Sequence, residues 1–290
     1  MGALRSGFIT VLASAAMIAL TAAPAGAQAV IEASHVTLAE ADLGSDAQLD
    51  GREDSLLLRT PKFDLGTGTF DVAADYTYTH YDYTGLATRD RDLHRLELPL
   101  TWAGNALTHA RIGVVPTAAA SSNEFKDLFS RGGGDDFSLY GHASIERTPG
   151  QGWGWRAGAA YDDSFGDKRL YPVLALMRSG DAVSVELGWP RTRLDWHVHP
   201  RVDLGVHVAP AGGRWHVVSD ERDGAGFFYV NKAWRAQLLA QWAITPHWQL
   251  DAVVGYEFDR SHELEDDNGL PINEDVDSTV LYGANVSYRF

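Results

Sequence analysis

The chain has 290 residues and a formal net charge of −15 at pH 7, with 39 Asp and Glu against 24 Lys and Arg. That balance argues against nucleic acid or bare anionic lipid as partners, since both need basic surface. The absence of cysteine excludes disulfides and a lipid-modified N-terminal cysteine. Mean hydropathy is −0.20, a soluble-looking value that a membrane barrel shares, because its strands alternate lipid-facing and lumen-facing residues.

Residues 1–27 read as a secretory signal peptide. Arg5 supplies the positive charge, Phe8 to Leu20 an apolar run, and Ala25-Gly26-Ala27 the small-residue cleavage site, leaving Gln28 first. The run is too short to span a membrane, and no later stretch approaches about 18 apolar residues. Residues 28–67 carry Glu32, Glu40, Asp42, Asp46, Asp50, Glu53, Asp54 and Asp64 without clear periodicity. They are expected to form an acidic periplasmic segment, partly disordered. Within it, Ser55 to Arg59 reads as a short strand or a lumen insert.

From residue 68 to 290 the sequence alternates with period two, the mark of strands with one apolar and one wet face. Phe70, Val72, Ala74, Tyr76 and Tyr78 oppose Asp71, Asp75, Thr77 and Thr79 in the first. Leu96, Leu98, Leu100 and Trp102 oppose Arg95 and Glu97 in the second. Ala110, Ile112 and Val114 oppose His109 and Arg111 in the third. The fourth sets Phe137, Leu139, Ala143 and Ile145 against Ser138, Tyr140, His142, Ser144 and Glu146. The fifth sets Trp153, Trp155, Ala157, Ala159 and Tyr161 against Arg156 and Asp162. The sixth, Leu170 to Arg178, is apolar on both parities and its faces stay unassigned.

Val183 to Trp189 and Leu194 to Val198 are the seventh and eighth, with Glu186, Arg193 and Asp195 on their wet sides. The ninth runs from Val202 to Val208 and then changes parity to Trp215 and Val217, across a bulge expected at Ala211-Gly212-Gly213. Phe228 to Trp242 is the tenth, with Arg235 wet. Leu250 to Phe258 is the eleventh, with Asp251 and Glu257 wet. The twelfth, Thr279 to Phe290, ends the chain on aromatic residues of its apolar parity.

The connections alternate short and long. Gly104-Asn105, Thr148-Pro149-Gly150, Ser179-Gly180, His199-Pro200 and Thr245-Pro246 are tight, whereas Thr84–Asp90, Ala119–Asp135, Asp163–Lys168, Asp220–Ala225 and Arg260–Ser278 are longer and polar. A tight outer turn at Trp189-Pro190-Arg191 completes the alternation. These features predict an all-β transmembrane antiparallel barrel of twelve strands, with ten or fourteen as alternatives, located in the cell outer membrane. Its termini would be periplasmic and its partners outer-membrane lipid and lipopolysaccharide. A soluble β-sandwich explains neither the signal peptide nor the alternating loop lengths.

Two resemblances accompany this reading. Gly283, Val286, Tyr288 and Phe290, in a Gly-x-x-apolar-x-aromatic-x-Phe ending, resemble the signal that delivers outer-membrane barrels to the barrel assembly machinery, which that likeness implies as a partner. Tyr161-Asp162-Asp163-Ser164-Phe165-Gly166-Asp167-Lys168, Tyr171-Pro172-Val173-Leu174 and Glu186-Leu187-Gly188-Trp189-Pro190 resemble a family of uncharacterised bacterial outer-membrane barrels, a domain of unknown function. That likeness implies a barrel fold and an outer-membrane location, and brings no substrate or catalytic residue.

No catalytic, cofactor-binding or metal residue is nominated. His142 and Ser144 are spaced like the pair of lipid-hydrolysing barrels, but their parity points them into the lumen. The acidic stretch Glu263, Glu265, Asp266, Asp267, Glu274, Asp275 and Asp277 fits no ordered calcium loop and reads as a solvated loop. His197, His199, His207 and His216 complete no metal site. The lumen remains. Arg95, Glu97, Arg111, Arg156, Glu186, Arg193, Asp195, Arg235, Asp251 and Glu257 are the lumen-facing candidates, joined by Asp71, Asp75, Glu146, Asp203 and Arg289. Both charge signs occur on neighbouring strands, without the basic ladder of an anion pore. The leading function is a passive channel for small solutes. The alternative is a plugged structural or surface-binding barrel, with a lipid hydrolase behind both.

Overall fold

A computed structural model describes residues 29–43, 47–86, 88, 90–104, 109–128, 133–147, 152–219, 225–266 and 268–290. The expected signal peptide and the turns at Asn105, Thr148-Pro149-Gly150 and 220–224 lie outside them. The first strands are β1 (Val30–Leu43), β2 (Ala47–Arg59), β3 (Phe63–Leu65), β4 (Gly68–Thr84), β5 (Arg91–Glu97), β6 (Leu100–Gly104) and β7 (His109–Ser121). A short helix α1 (Ser122–Asp127) precedes β8 (Phe137–Arg147), β9 (Gly152–Asp162), β10 (Arg169–Ser179), β11 (Val183–Trp189) and β12 (Thr192–His199). The chain closes with β13 (Val202–Pro210), β14 (Gly213–Ser219), β15 (Ala225–Ala243), β16 (Trp248–Glu265), β17 (Pro271–Val276) and β18 (Thr279–Arg289).

Four pairs, β2/β3, β5/β6, β13/β14 and β17/β18, are halves of one stave, so the described residues make a ring of fourteen staves. Neighbouring staves are antiparallel. The ring closes where β18 meets β1, with Arg289 opposite Val30 and Leu281 opposite Leu38.

This corrects the expectation for residues 28–67. Val30–Leu43 and Ala47–Arg59 are the first two staves, in continuous register with each other and with β4, and they raise the count from twelve to fourteen. Closure explains why. Without β1 and β2, β18 and β4 would each carry an unpaired edge, which lipid does not tolerate. The tight turn at Trp189-Pro190-Arg191 is present, joining β11 to β12 in register Val183↔Trp196. The faces of β10, open from sequence, are set by burial: Leu170, Leu174 and Leu176 point out and Tyr171 and Ala175 point in.

The exterior carries a belt of exposed apolar residues, among them Ile112, Leu139, Trp155, Leu187, Trp196, Leu238, Val254 and Val286. At the rim where the two ends of the ring meet, Tyr288 packs on Trp248 and Phe290 at 4.8 Å each, an interfacial aromatic girdle. Beyond the opposite edge of the belt the exterior turns polar. His35 meets Asp54, His80 meets Asp82 and Asp92, and His94 is held by Ser122 and stacked on Phe125 of α1.

Not every stave stops at that edge. The ends of β1, β2, β4, β5, β7, β15 and β16, with β14 and β17, continue past it. They close a second, narrower ring through a parallel contact of β14 with β7, His216↔Ala120, and through Leu43↔Val276. We call this ring the distal tier. Its interior is a dry core of Leu43, Leu49, Tyr81, Tyr83, Leu93, Trp215, Val217, Tyr229, Leu264 and Val276 with smaller neighbours. Two further expectations are corrected here. The segment 260–278, read as a loop, is the hairpin of β16 and β17, with Leu264 and Val276 in the core. Trp215 and Val217, read as a return of the outer apolar face, point inward, because β14 leaves the wall at Ala211-Gly212 to roof the lumen.

Candidate functional site: the lumen and its roof

Along their staves Arg111, Arg156, Glu186 and Asp195 alternate with the exposed Ile112, Trp155, Leu187 and Trp196. Arg156 on β9 donates to Glu146 on β8 at 2.9 Å and to Glu186 on β11 at 2.8 Å. Arg193 donates to Asp195 at 2.5 Å. Asp251 accepts from Asn285 and Gln249. Arg111 lies on β7 opposite Ser144. His142 and Ser144 face inward as well, the His142 ring lying over Gly113. His197 pairs with Asp203 at 2.8 Å, and His207 approaches Asp195 at 3.4 Å. Among the described residues no group of three or more His, Asp or Glu could hold a metal ion.

Directly beneath the dry core lies a layer of buried charge. Arg235 donates to Glu257 at 2.6 Å and reaches across the lumen to Glu53 on β2 at 3.2 Å. Glu257 also accepts from Arg260 at 2.9 Å and is 0% exposed. Arg95 bridges Glu97 at 3.1 Å and Asp163 at 2.5 Å. Each buried charge thus has an opposite partner, as desolvation requires. Glu53, Asp163 and Arg260 had not been nominated, because sequence alone put them in a tail and in loops. Continued parity would have found Glu53 alone, because Arg260 follows a shift of parity at the positive-φ Asp259 and Asp163 lies beyond the end of β9 on the parity of the exposed Tyr161.

Above this layer, among the described residues, the core holds two buried polar contacts: Asn231 donates to the Tyr81 hydroxyl at 2.6 Å, and a second group lies among the aromatic residues. Tyr83, Tyr229 and His262 Nδ1 form a closed triangle at 2.7–2.8 Å. A phenol O–H donates to a neutral imidazole there. Burial, with Arg260 nearby, pushes the His262 pKa down to about 3, and burial raises both phenols.

Among the inward-facing ion pairs, those of the β12–β13 wall keep the most exposure. The side chains of Asp203 on β13 and Arg193 near the tip of β12 are 40% and 48% exposed, against 14% for Arg235. The wet path therefore rises along the β11–β13 wall. It ends under the segment joining β9 to β10, residues 163–168, which crosses the tip of the β11–β12 hairpin.

That segment, the latch, is docked inward and outward at once. Asp163 accepts from Arg95 and, at 3.1 Å, from the Arg214 amide. Ser164 O accepts from the Gly212 amide at 2.7 Å. Phe165 is buried between the inner-face residues Ala160 and Tyr171, the latter at 5.1 Å, and the rim residues Trp189 and Trp234, both at 5.6 Å. Lys232 holds Asp167 at 3.3 Å. Two glycines allow this seating. Gly166 has φ +91, and a Cβ on Gly212 would come within 2.5 Å of the Gly166 nitrogen.

A closed antiparallel ring with an apolar exterior belt and a polar interior defines an integral outer-membrane β-barrel. A solved structure agrees on the fold. The chain is similar to the COG4313 outer membrane channel from Pseudomonas putida F1, at 14% identity and TM-score 0.52, over 93% of this chain and 97% of that one. It is also similar, with lower scores, to the KdgM porin in complex with disordered oligogalacturonate (9% identity, TM-score 0.43, 90% and 99% covered). The translocator domain of the autotransporter NalP from Neisseria meningitidis matches at 11% identity and TM-score 0.38, over 99% and 96%. No protein-family model and no curated protein matches the chain.

Proposed function

We propose that this barrel is a passive channel for small solutes, non-enzymatic, with the rim that bears both ends of the ring in the periplasm and the distal tier outside. The observation that carries it is the exposure kept by the ion pairs of the β12–β13 wall. Charged groups that stay partly wet, from Asp203 to Arg193, describe a hydrated path rather than a packed filling. The lumen carries more carboxylates than guanidinium groups, which disfavours anions, and small neutral solutes fit best. Gly283, Val286, Tyr288 and Phe290 belong in this reading as the assembly signal recognised by the barrel assembly machinery.

The rival reading is a plugged scaffold or surface-binding barrel, and a specific observation favours it too: the distal tier closes the axis with a dry core. Vesicle swelling separates the two. Refolded protein in lipid vesicles is expected to admit a small neutral sugar faster than protein-free vesicles. Swelling no faster than the protein-free control contradicts the channel and supports the plug.

A further inference from the structure

We infer that solute leaves this barrel sideways, through the shoulder between the β11–β12 tip and the distal tier, and that the latch 163–168 is the door. The inference rests on the channel reading and names its exit, its gate and its solute class.

Three observations meet at this place. The axial route ends in a core whose Tyr81, Leu49, Tyr229 and Leu281 are all at most 1% exposed, so opening it would mean unfolding the distal tier. Staves β8 to β13 take no part in that tier, and β11 and β12 are among the shortest full staves. The wall is therefore lowest at their tip, next to the exposed Arg193 on the inside. The only described chain crossing the gap is the latch. Its attachments are separable from the wall: one ion pair to Arg95, backbone amide bonds from Arg214 and Gly212, one ion pair to Lys232 and the packing of Phe165. Swinging the latch out breaks no rung of the β-ladder.

The chemistry of the frame identifies what it passes. Inside, Arg193, Asp195 and His207 offer hydrogen bonds without net charge attraction. At the opening, Phe165, Tyr171, Trp189 and Trp234 present aromatic faces. A solute with one hydrogen-bonding side and one apolar or aromatic side satisfies both surfaces. A wholly polar one satisfies only the first.

The chain has no native cysteine, which makes the test clean. Asp167→Cys with Lys232→Cys, bridged by a short bifunctional thiol reagent, ties the latch down. Gly212→Val unseats it, and Asp163→Ala serves the same purpose if Gly212→Val fails to refold. Swelling is read with glucose and phenyl glucoside, both excluded by bare lipid. Tethering is expected to cut uptake at least fivefold, reversibly on reduction. Unseating is expected to raise it severalfold, and phenyl glucoside is expected to enter the native protein faster than glucose. Uptake that is unchanged by tethering, in a protein that still admits solute, overturns the lateral exit and leaves the channel standing. No uptake by any variant, unseated ones included, overturns both.

Discussion

The same strands obey opposite rules in the two halves of this molecule. In β4, Phe70, Val72 and Ala74 face outward below and Asp71 and Asp75 inward. A few residues further on, His80 and Asp82 face outward while Tyr81 and Tyr83 are buried inside. Strand β16 reaches the same arrangement by another route: Leu250 faces out and Asp251 in, the parity shifts at the positive-φ Asp259, and Glu263 then faces out and Leu264 in. What changes is the solvent beyond the wall. Lipid surrounds the lower ring, so apolar side chains go out and charges turn to the lumen. Water surrounds the distal tier, so the tier packs like a small soluble barrel with its core at the centre. The inversion line marks the edge of the membrane.

Breaking the charged layer at the junction is expected to have the largest effect. Arg235→Met strands Glu53 without a cation, leaves Glu257 with Arg260 alone, and is expected to cost about 3–5 kcal/mol, read by urea unfolding in micelles. Recovery on adding Glu53→Leu would show that the stranded charge is the cause. The next contrast places one substitution in the two halves. Leu174→Arg, on the lipid face, is expected to cost about 2–4 kcal/mol. Asn273→Arg, on the outer face of the distal tier, is expected to stay within about 0.5 kcal/mol. Equal costs would contradict the membrane boundary drawn above.

The mildest lever is pH. His262 has its folded pKa depressed to about 3 from 6.5, so below pH 6.5 the unfolded chain binds a proton that the folded tier does not. Its contribution is complete above that pH and declines as pH falls toward 3. Tyr fluorescence of the distal tier is expected to show this loss, and His262→Phe to remove it.

The lower ring was legible in the sequence because one rule governs it. Alternation assigned faces to eleven of the twelve expected strands and placed Arg95, Arg156, Glu186, Arg235 and Glu257 on the inner side. The distal tier was not, because its strands carry the inverse pattern. In β1, Ile31 and Ala33 face lipid, whereas Val36 and Leu38 are buried inside. Read with one rule, that stretch looks aperiodic, and its outward Glu40, Asp42 and Asp50 look like a solvated tail. Tyr81 and Tyr83 fell beyond an apparent strand end for the same reason. The sixth strand failed differently. Its inner side is Tyr171, Val173 and Ala175, apolar residues packed near the latch, so no wet parity existed to read.

Native-state hydrogen exchange of the refolded protein in lipid vesicles, resolved by peptide, tests the two-tier architecture most directly. The account predicts that peptides covering residues 47–51, 79–84, 213–219 and 271–276 are strongly protected and open together as one cooperative unit, which acid loosens before the lower ring. Exchange of those peptides at the rate of exposed loops would mean an open mouth, and would contradict a dry distal tier closing the axis of the barrel.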